Sequence, residues 1–134
     1  MKPEYINSDL ELRSKTDISG LVSTLSRHLF VPFNRRENTK YLATFEIINI
    51  NSKPDTIANR FCKVIENLSA KDRAAWKKCL SRNLDLGFQS GHGTKIGTAI
   101  LSADTIGRLA KLNINIAVSV YPIMKSKITR RTSR

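Results

Sequence analysis

Cysteine, histidine and acidic residues are all scarce in this chain. It contains two cysteines, two histidines and 11 acidic residues, against 23 lysines and arginines. Cys62 and Cys79 have no further metal-ligand residue at close spacing, which excludes a zinc site and favours two buried, unpaired thiols over a disulfide. With a formal net charge of +12, a charged partner of this chain is expected to be anionic.

Long hydrophobic runs are absent, and aromatic residues make up 7% of the chain. No apolar segment approaches the ~18 residues that span a bilayer, and the first nine residues lack the apolar centre of a secretion signal. The expected location is therefore the cytoplasm, with no membrane partner. The aromatic residues form no run for stacking bases, and Trp76 is expected in the core, which argues against a sequence-specific RNA-binding sheet.

The chain nevertheless has enough apolar sequence for one folded domain. Its 134 residues are 40% hydrophobic and 25% charged, which is ordinary for a globular protein with its own core. Residues 1–124 are predicted to form a single α+β domain. Residues 125–134 lack apolar periodicity and carry five Lys and Arg residues, so we expect a disordered basic tail.

Hydrophobic periodicity predicts four strands and four helices. The strands are expected at residues 5–13, 41–50, 84–89 and 113–121, and the helices at about 17–29, 55–68, 69–80 and 102–112. Residues 34–40 are polar and are expected to form an exposed connection. The order β-α-β-α-α-β-α-β predicts an α+β fold with a four-stranded, largely antiparallel or mixed sheet and helices on one face.

Local signals define several helix ends and strand faces. Ser69 and Ser102 are expected to cap the third and fourth helices, and Asn113 suits a left-handed residue after the fourth. In the first strand, alternation places Ile6, Ser8, Leu10 and Leu12 on one face and Tyr5, Asn7, Asp9 and Glu11 on the other.

Candidate catalytic motifs are weak. The glycines of residues 91–97 invite comparison with a phosphate-binding loop, but the Walker spacing is not met and a flexible connector is favoured. A small hydrolase is a third possible function, and it would require Ser90, His92 and an acidic residue to meet in one pocket. Glu46 and Asp85 are interpreted as isolated acids on the sheet surface. No catalytic residue, cofactor or metal is predicted.

The basic residues of the second and third helices are the better candidates for a partner-binding site. Arg60 and Lys63 lie on the second helix, and Lys71, Lys78 and Arg82 are assigned to the third, within about 40° of one another around the helix axis. Such a patch can contact an acidic protein surface or nucleic-acid phosphates. The alternative interpretation is a solvated helix face whose long side chains cover apolar surface.

Several segments carry a resemblance to a known family. They are YINSDLEL at residues 5–12, YLATFE at 41–46, LSADTIGRLAKL at 101–112 and YP at 121–122. Together they resemble a family of small bacterial α+β proteins, some of whose members resemble immunity proteins that neutralise polymorphic or contact-delivered toxins. The resemblance covers roughly residues 5–122 and implies no catalytic residue. The chain departs from it in its basic tail and its charge, because immunity proteins against basic nucleases are usually acidic.

The resemblance implies a non-enzymatic immunity-type inhibitor that occludes a partner toxin with an acidic or mixed surface. The alternative function is general nucleic-acid binding through the basic helices and the tail. Partner identity and oligomeric state are left open by the sequence.

Overall fold

The protein is described by a computed structural model that covers residues 1–48 and 52–123 and contains five strands and four helices. The elements are β1 (Glu4–Ser14), α1 (Ser19–Leu25), β2 (Phe30–Glu37), β3 (Lys40–Glu46), α2 (Pro54–Glu66), α3 (Ala70–Lys78), β4 (Ser81–Gln89), α4 (Ala103–Lys111) and β5 (Asn115–Tyr121). The predicted tail at 125–134 lies outside the described residues. No helix within those residues is long and apolar enough to cross a bilayer.

The strands form one mixed sheet in the order β2-β3-β1-β4-β5. Neighbouring strands are antiparallel except β4 and β5, which are parallel and are connected through α4. A parallel pair needs such a crossover connection, whereas β2 and β3 are joined by a tight turn. The α+β class and the mixed sheet are therefore confirmed.

The predicted count of four strands is wrong, because Phe30–Glu37 forms the edge strand β2. This segment was expected to be helix end and polar connection. It pairs with β3 in a hairpin whose turn contains Asn38 at φ 58°, a left-handed conformation that asparagine tolerates. β2 contains Pro32 and ends in the polar residues Asn34–Glu37, so it lacks the apolar alternation by which the other strands are predicted.

The core lies on one face of the sheet. Leu10 and Leu12 of β1, Phe45 of β3 and Leu84 of β4 are buried there. They belong to one cluster with residues from all four helices, including Leu25, Phe61, Trp76 and Leu109. The opposite face carries polar and charged side chains, as expected for a sheet with one solvated side.

The predicted caps at Ser69 and Ser102 are confirmed, whereas α1 and α2 begin after Ile18 and Lys53 and not after the expected Thr16 or Asp17 and Asp55. The Ser69 hydroxyl accepts from the Asp72 backbone N–H, and the Ser102 hydroxyl accepts from that of Thr105, each at 3.2 Å. Asn113 has φ 56° after α4. The first helix is shorter than predicted, since it ends at Leu25.

A bulge at Ile6 corrects the predicted faces at the start of β1. Tyr5 pairs with Phe88 but Asn7 pairs with Gly87, so one extra residue lies in β1. The rings of Tyr5 and Phe88 meet edge to face at 5.6 Å, and Ile6 is exposed. Tyr5 therefore lies on the same face as Phe88, whereas strict alternation had placed it opposite.

Candidate functional site

Four of the five predicted partner-binding residues lie on the two expected helices. Arg60 and Lys63 are on α2 and Lys71 and Lys78 are on α3, all four exposed. None of them forms an ion pair within residues 1–48 and 52–123. Their charges are therefore available to a partner.

The fifth, Arg82, is not on a helix, because α3 ends at Lys78 and Arg82 lies in β4. Its guanidinium donates hydrogen bonds to the carbonyl oxygens of Trp76 and Cys79 at 3.0 and 2.9 Å, and to that of Asn113 at 3.0 Å. A cation at these carbonyls satisfies acceptors that the end of α3 leaves open. The structure thus gives Arg82 a structural role, and the predicted helical stripe loses this member.

The acids on the helices are already used within the fold. Glu66 pairs with Arg108 of α4 at 2.7 Å. Asp72 accepts a hydrogen bond from the Thr24 hydroxyl at 2.7 Å. Asp55 accepts one from the Ser102 backbone N–H at 2.9 Å, and this bond is the main reason that the pKa of Asp55 is lowered. Arg108 neutralises Glu66, and the two remaining carboxylates of these helices, Asp55 and Asp72, are outnumbered by the exposed bases of α2 and α3.

A small cavity lies beside Arg60 and Lys63. Its volume is about 370 Å³, and we call it the basic pocket; it is lined by Thr24, His28, Leu29, Ile47, Arg60, Lys63, Val64, Asn67 and Leu68. The lining combines four aliphatic side chains with two cations and an imidazole. A pocket of this composition can hold an apolar side chain while its cations contact carboxylates or phosphates nearby.

Carboxylates form a second cluster, on the open face of the sheet. Asp9 of β1 lies directly opposite Glu46 of β3 and Asp85 of β4, so three acids form a row across the central strands. The neighbouring Glu11 pairs with Arg13 at 3.2 Å. Like charges at directly opposed positions destabilise a sheet. The sequence interpretation of Glu46 and Asp85 as isolated acids is wrong, since Asp9 joins them.

The row changes the titration of its central member. Burial is the main cause that raises the pKa of Asp9 from 3.8 to about 7, followed by the neighbouring Glu46 carboxyl group and by the negative charges of Asp85 and Glu11. With this pKa, the Asp9 carboxyl group is mostly protonated at pH 6 and about half protonated at pH 7. Its Oδ1 is buried and has no partner among the described residues.

The glycine loop has a structural explanation. The amino group of Met1 donates to the His92 carbonyl oxygen at 3.0 Å, and the His92 backbone N–H donates to the Met1 carbonyl oxygen at 2.9 Å. A Cβ at Gly91 would lie 2.2 Å from the Met1 oxygen, and one at Gly97 would lie 2.7 Å from the Pro3 oxygen. Glycine is therefore required where residues 1–3 cross this loop. The His92 amide, which an anion would need, already has a partner.

The remaining candidates from the sequence are the two cysteines and the pair Ser90 and His92. Cys62 and Cys79 are buried free thiols, and burial raises the pKa of both. Ser90 donates its backbone N–H to the Tyr121 oxygen, and His92 is exposed. Across residues 1–48 and 52–123, no three His, Cys, Asp or Glu side chains are arranged to hold a metal ion.

Comparisons with known proteins return no relative. No protein-family model, curated protein or solved structure matches the chain. The resemblance to immunity proteins therefore stays a prediction, and the functional argument depends on the surfaces described above.

Proposed function

We propose that this chain is a non-enzymatic binding protein that holds an acidic surface of a partner protein against α2 and α3 and occludes it, as immunity proteins do. The observation that carries this proposal is the basic pocket. Arg60 and Lys63 border a cavity whose other walls include Leu29, Val64 and Leu68. An apolar side chain flanked by carboxylates is the complementary feature on a partner.

The apolar walls favour a protein over a nucleic acid as the partner. Phosphate binding needs cations but no hydrophobic cavity, and binding of single strands usually adds an exposed aromatic ring for stacking. Trp76, the aromatic residue of α3, is buried and donates its indole N–H to the Leu112 oxygen at 3.1 Å. It is therefore not available to stack on a base.

The distribution of charge supports an oriented encounter. The exposed bases of α2 and α3 lie on the helical side of the sheet, whereas the row of Asp9, Glu46 and Asp85 lies on the open face. A partner with an acidic surface is attracted to the first and repelled by the second. Such complementarity accelerates association and selects the partner more than it strengthens the complex.

The direct test is association with the product of the neighbouring reading frame, measured for matched charge-reversal variants. Arg60→Glu with Lys63→Glu, and separately Lys71→Glu with Lys78→Glu, should each slow association about tenfold at low salt. The control, Lys40→Glu with Lys95→Glu, makes the same change in net charge at exposed positions outside α2 and α3. Equal slowing in all three variants would mean that net charge alone acts, which contradicts a site on these helices.

Nucleic-acid binding is tested in the same series. The wild-type chain is titrated with mixed-sequence DNA and RNA at about 50 mM salt, where several phosphate contacts give measurable binding. We expect none. Tight, strongly salt-dependent binding that is lost in the Arg60→Glu and Lys63→Glu variant would replace the protein partner with a nucleic acid.

A further inference from the structure

The two edges of the sheet differ in how they are protected. The edge strand β2 contains Pro32, a bulge between Phe30 and Phe33, and the charged residues Arg35, Arg36 and Glu37. Proline, bulges and charges are the devices that keep an edge from pairing with another chain. The edge strand β5 has none of them: residues 113–123 contain no charge, and Pro122 follows the strand.

The unprotected edge also carries exposed apolar side chains. Ile116, Val118 and Val120 point to the same face of β5 and are 40%, 62% and 61% exposed. Apart from β4, no strand within the described residues pairs with β5. The same three side chains line a groove of about 1190 Å³, together with Leu86, Phe88 and Ile100. Of the described residues that line it, Lys53 alone is charged.

The strand is complementary to itself in an antiparallel register. If two copies meet about a two-fold axis at Val118, Ile116 of each lies opposite Val120 of the other, and every apolar residue of that face meets an apolar residue. A charged residue on such a strand would lie near its own copy in the pair. For a chain of net charge +12, an uncharged strand is the surface where two copies can meet with least repulsion.

We propose that β5 pairs with β5 of a second copy, so that two chains form one continuous ten-stranded sheet in which Ile116, Val118 and Val120 of the two copies lie side by side on one face. A fully exposed valine or isoleucine side chain presents on the order of 100 Å² of apolar surface. At their observed exposures the three side chains therefore offer only about 160 Å² per copy, far below the ~800 Å² of a standard interface. We expect a dimer that dissociates at micromolar concentrations.

The experiment is sedimentation equilibrium of the full chain between about 5 and 300 µM. The wild type should dimerise in this range, and Val118→Lys should raise the dissociation constant at least about tenfold. Because Val118 is largely exposed, the substitution should leave the circular dichroism unchanged. Phe30→Lys, at an exposed position on the opposite edge, is the control and should dimerise like the wild type.

A charge pair tests the register. Val118→Lys and Val118→Glu should each be monomeric alone, and an equimolar mixture should recover the dimer, because position 118 lies opposite itself only in this arrangement. A wild type that stays monomeric at the highest concentration would overturn the proposal. So would a dimer that Val118→Lys leaves intact, and a mixture that fails to associate would overturn the two-fold register.

Discussion

The raised pKa of Asp9 predicts how the free energy of unfolding depends on pH. The pKa of Asp9 is about 7 in the folded chain, against about 3.9 in an unfolded one. Between these values the folded state binds more protons than the unfolded state, so its free energy of unfolding falls as the pH rises from about 4 to 7. The loss is nearly complete about one pH unit above the folded pKa, and beyond that stability no longer changes through this group.

The magnitude follows from the shift and from the position of the carboxyl group. A shift of three pKa units corresponds to at most about 4 kcal/mol. Asp9 is only partly buried, on the open face of the sheet, and solvent screening reduces such an effect. We therefore expect about 1–2 kcal/mol. Replacing Asp9 with Asn keeps the shape of the side chain and removes its charge.

The assay is urea unfolding of the wild type and Asp9→Asn at about pH 3.5 and pH 8. At pH 3.5 the two should be nearly equal, because Asp9 is largely protonated in both the folded and the unfolded chain. At pH 8 the variant should be more stable by about 1–2 kcal/mol. Glu4→Gln, an exposed acid on the same strand, is the control, and its difference from the wild type should not change between the two pH values. An Asp9→Asn variant that is no more stable than the wild type at pH 8 would refute the argument.

Three further substitutions test packing, each measured by urea unfolding at pH 7. Thr105→Val should destabilise the fold by about 1–2 kcal/mol, because the buried Thr105 hydroxyl accepts a hydrogen bond from the Asn59 amide at 2.9 Å; an unchanged midpoint would contradict this role. Gly91→Ala should cost about 1–3 kcal/mol because its Cβ would overlap the Met1 carbonyl oxygen, and a neutral result would mean that this crossing does not persist in solution. Gly20→Ala, in α1 with no atom within 4 Å of the added Cβ, should instead stabilise by about 0.5–1 kcal/mol, and a loss of stability would show that the helix is packed differently.

Periodicity in the sequence was sufficient for the elements that build the core. Strands β1, β4 and β5 alternate between apolar and polar residues, β3 is densely apolar, and the helices α2, α3 and α4 carry apolar stripes. Ser69, Ser102 and Asn113 act within a few residues of their own position, so their roles as caps and turn could be predicted from local sequence alone.

The predictions failed at three places: the edge strand β2, the boundary between α3 and β4, and the start of β1. Strand β2 has the sequence FVPFNRRE, which does not alternate between apolar and polar residues, so its pairing with β3 could not be predicted from periodicity. Arg82 follows α3 closely enough for helical spacing to be extended through it, although the chain turns after Lys78 and enters β4. Ile6 shifts the faces of β1 through a bulge that pairing with β4 reveals.

The sequence by itself determined the α+β class, one solvated face of the sheet and a surplus of bases on two helices, because composition and short-range spacing fix these properties. The tertiary structure alone decided which distant residues meet. Asp9, Glu46 and Asp85 are separated by about forty residues each in sequence, and only the strand order β3-β1-β4 places them in a row. That order also leaves β5 at an edge, since a strand's neighbours depend on the path of the whole chain and not on its own residues.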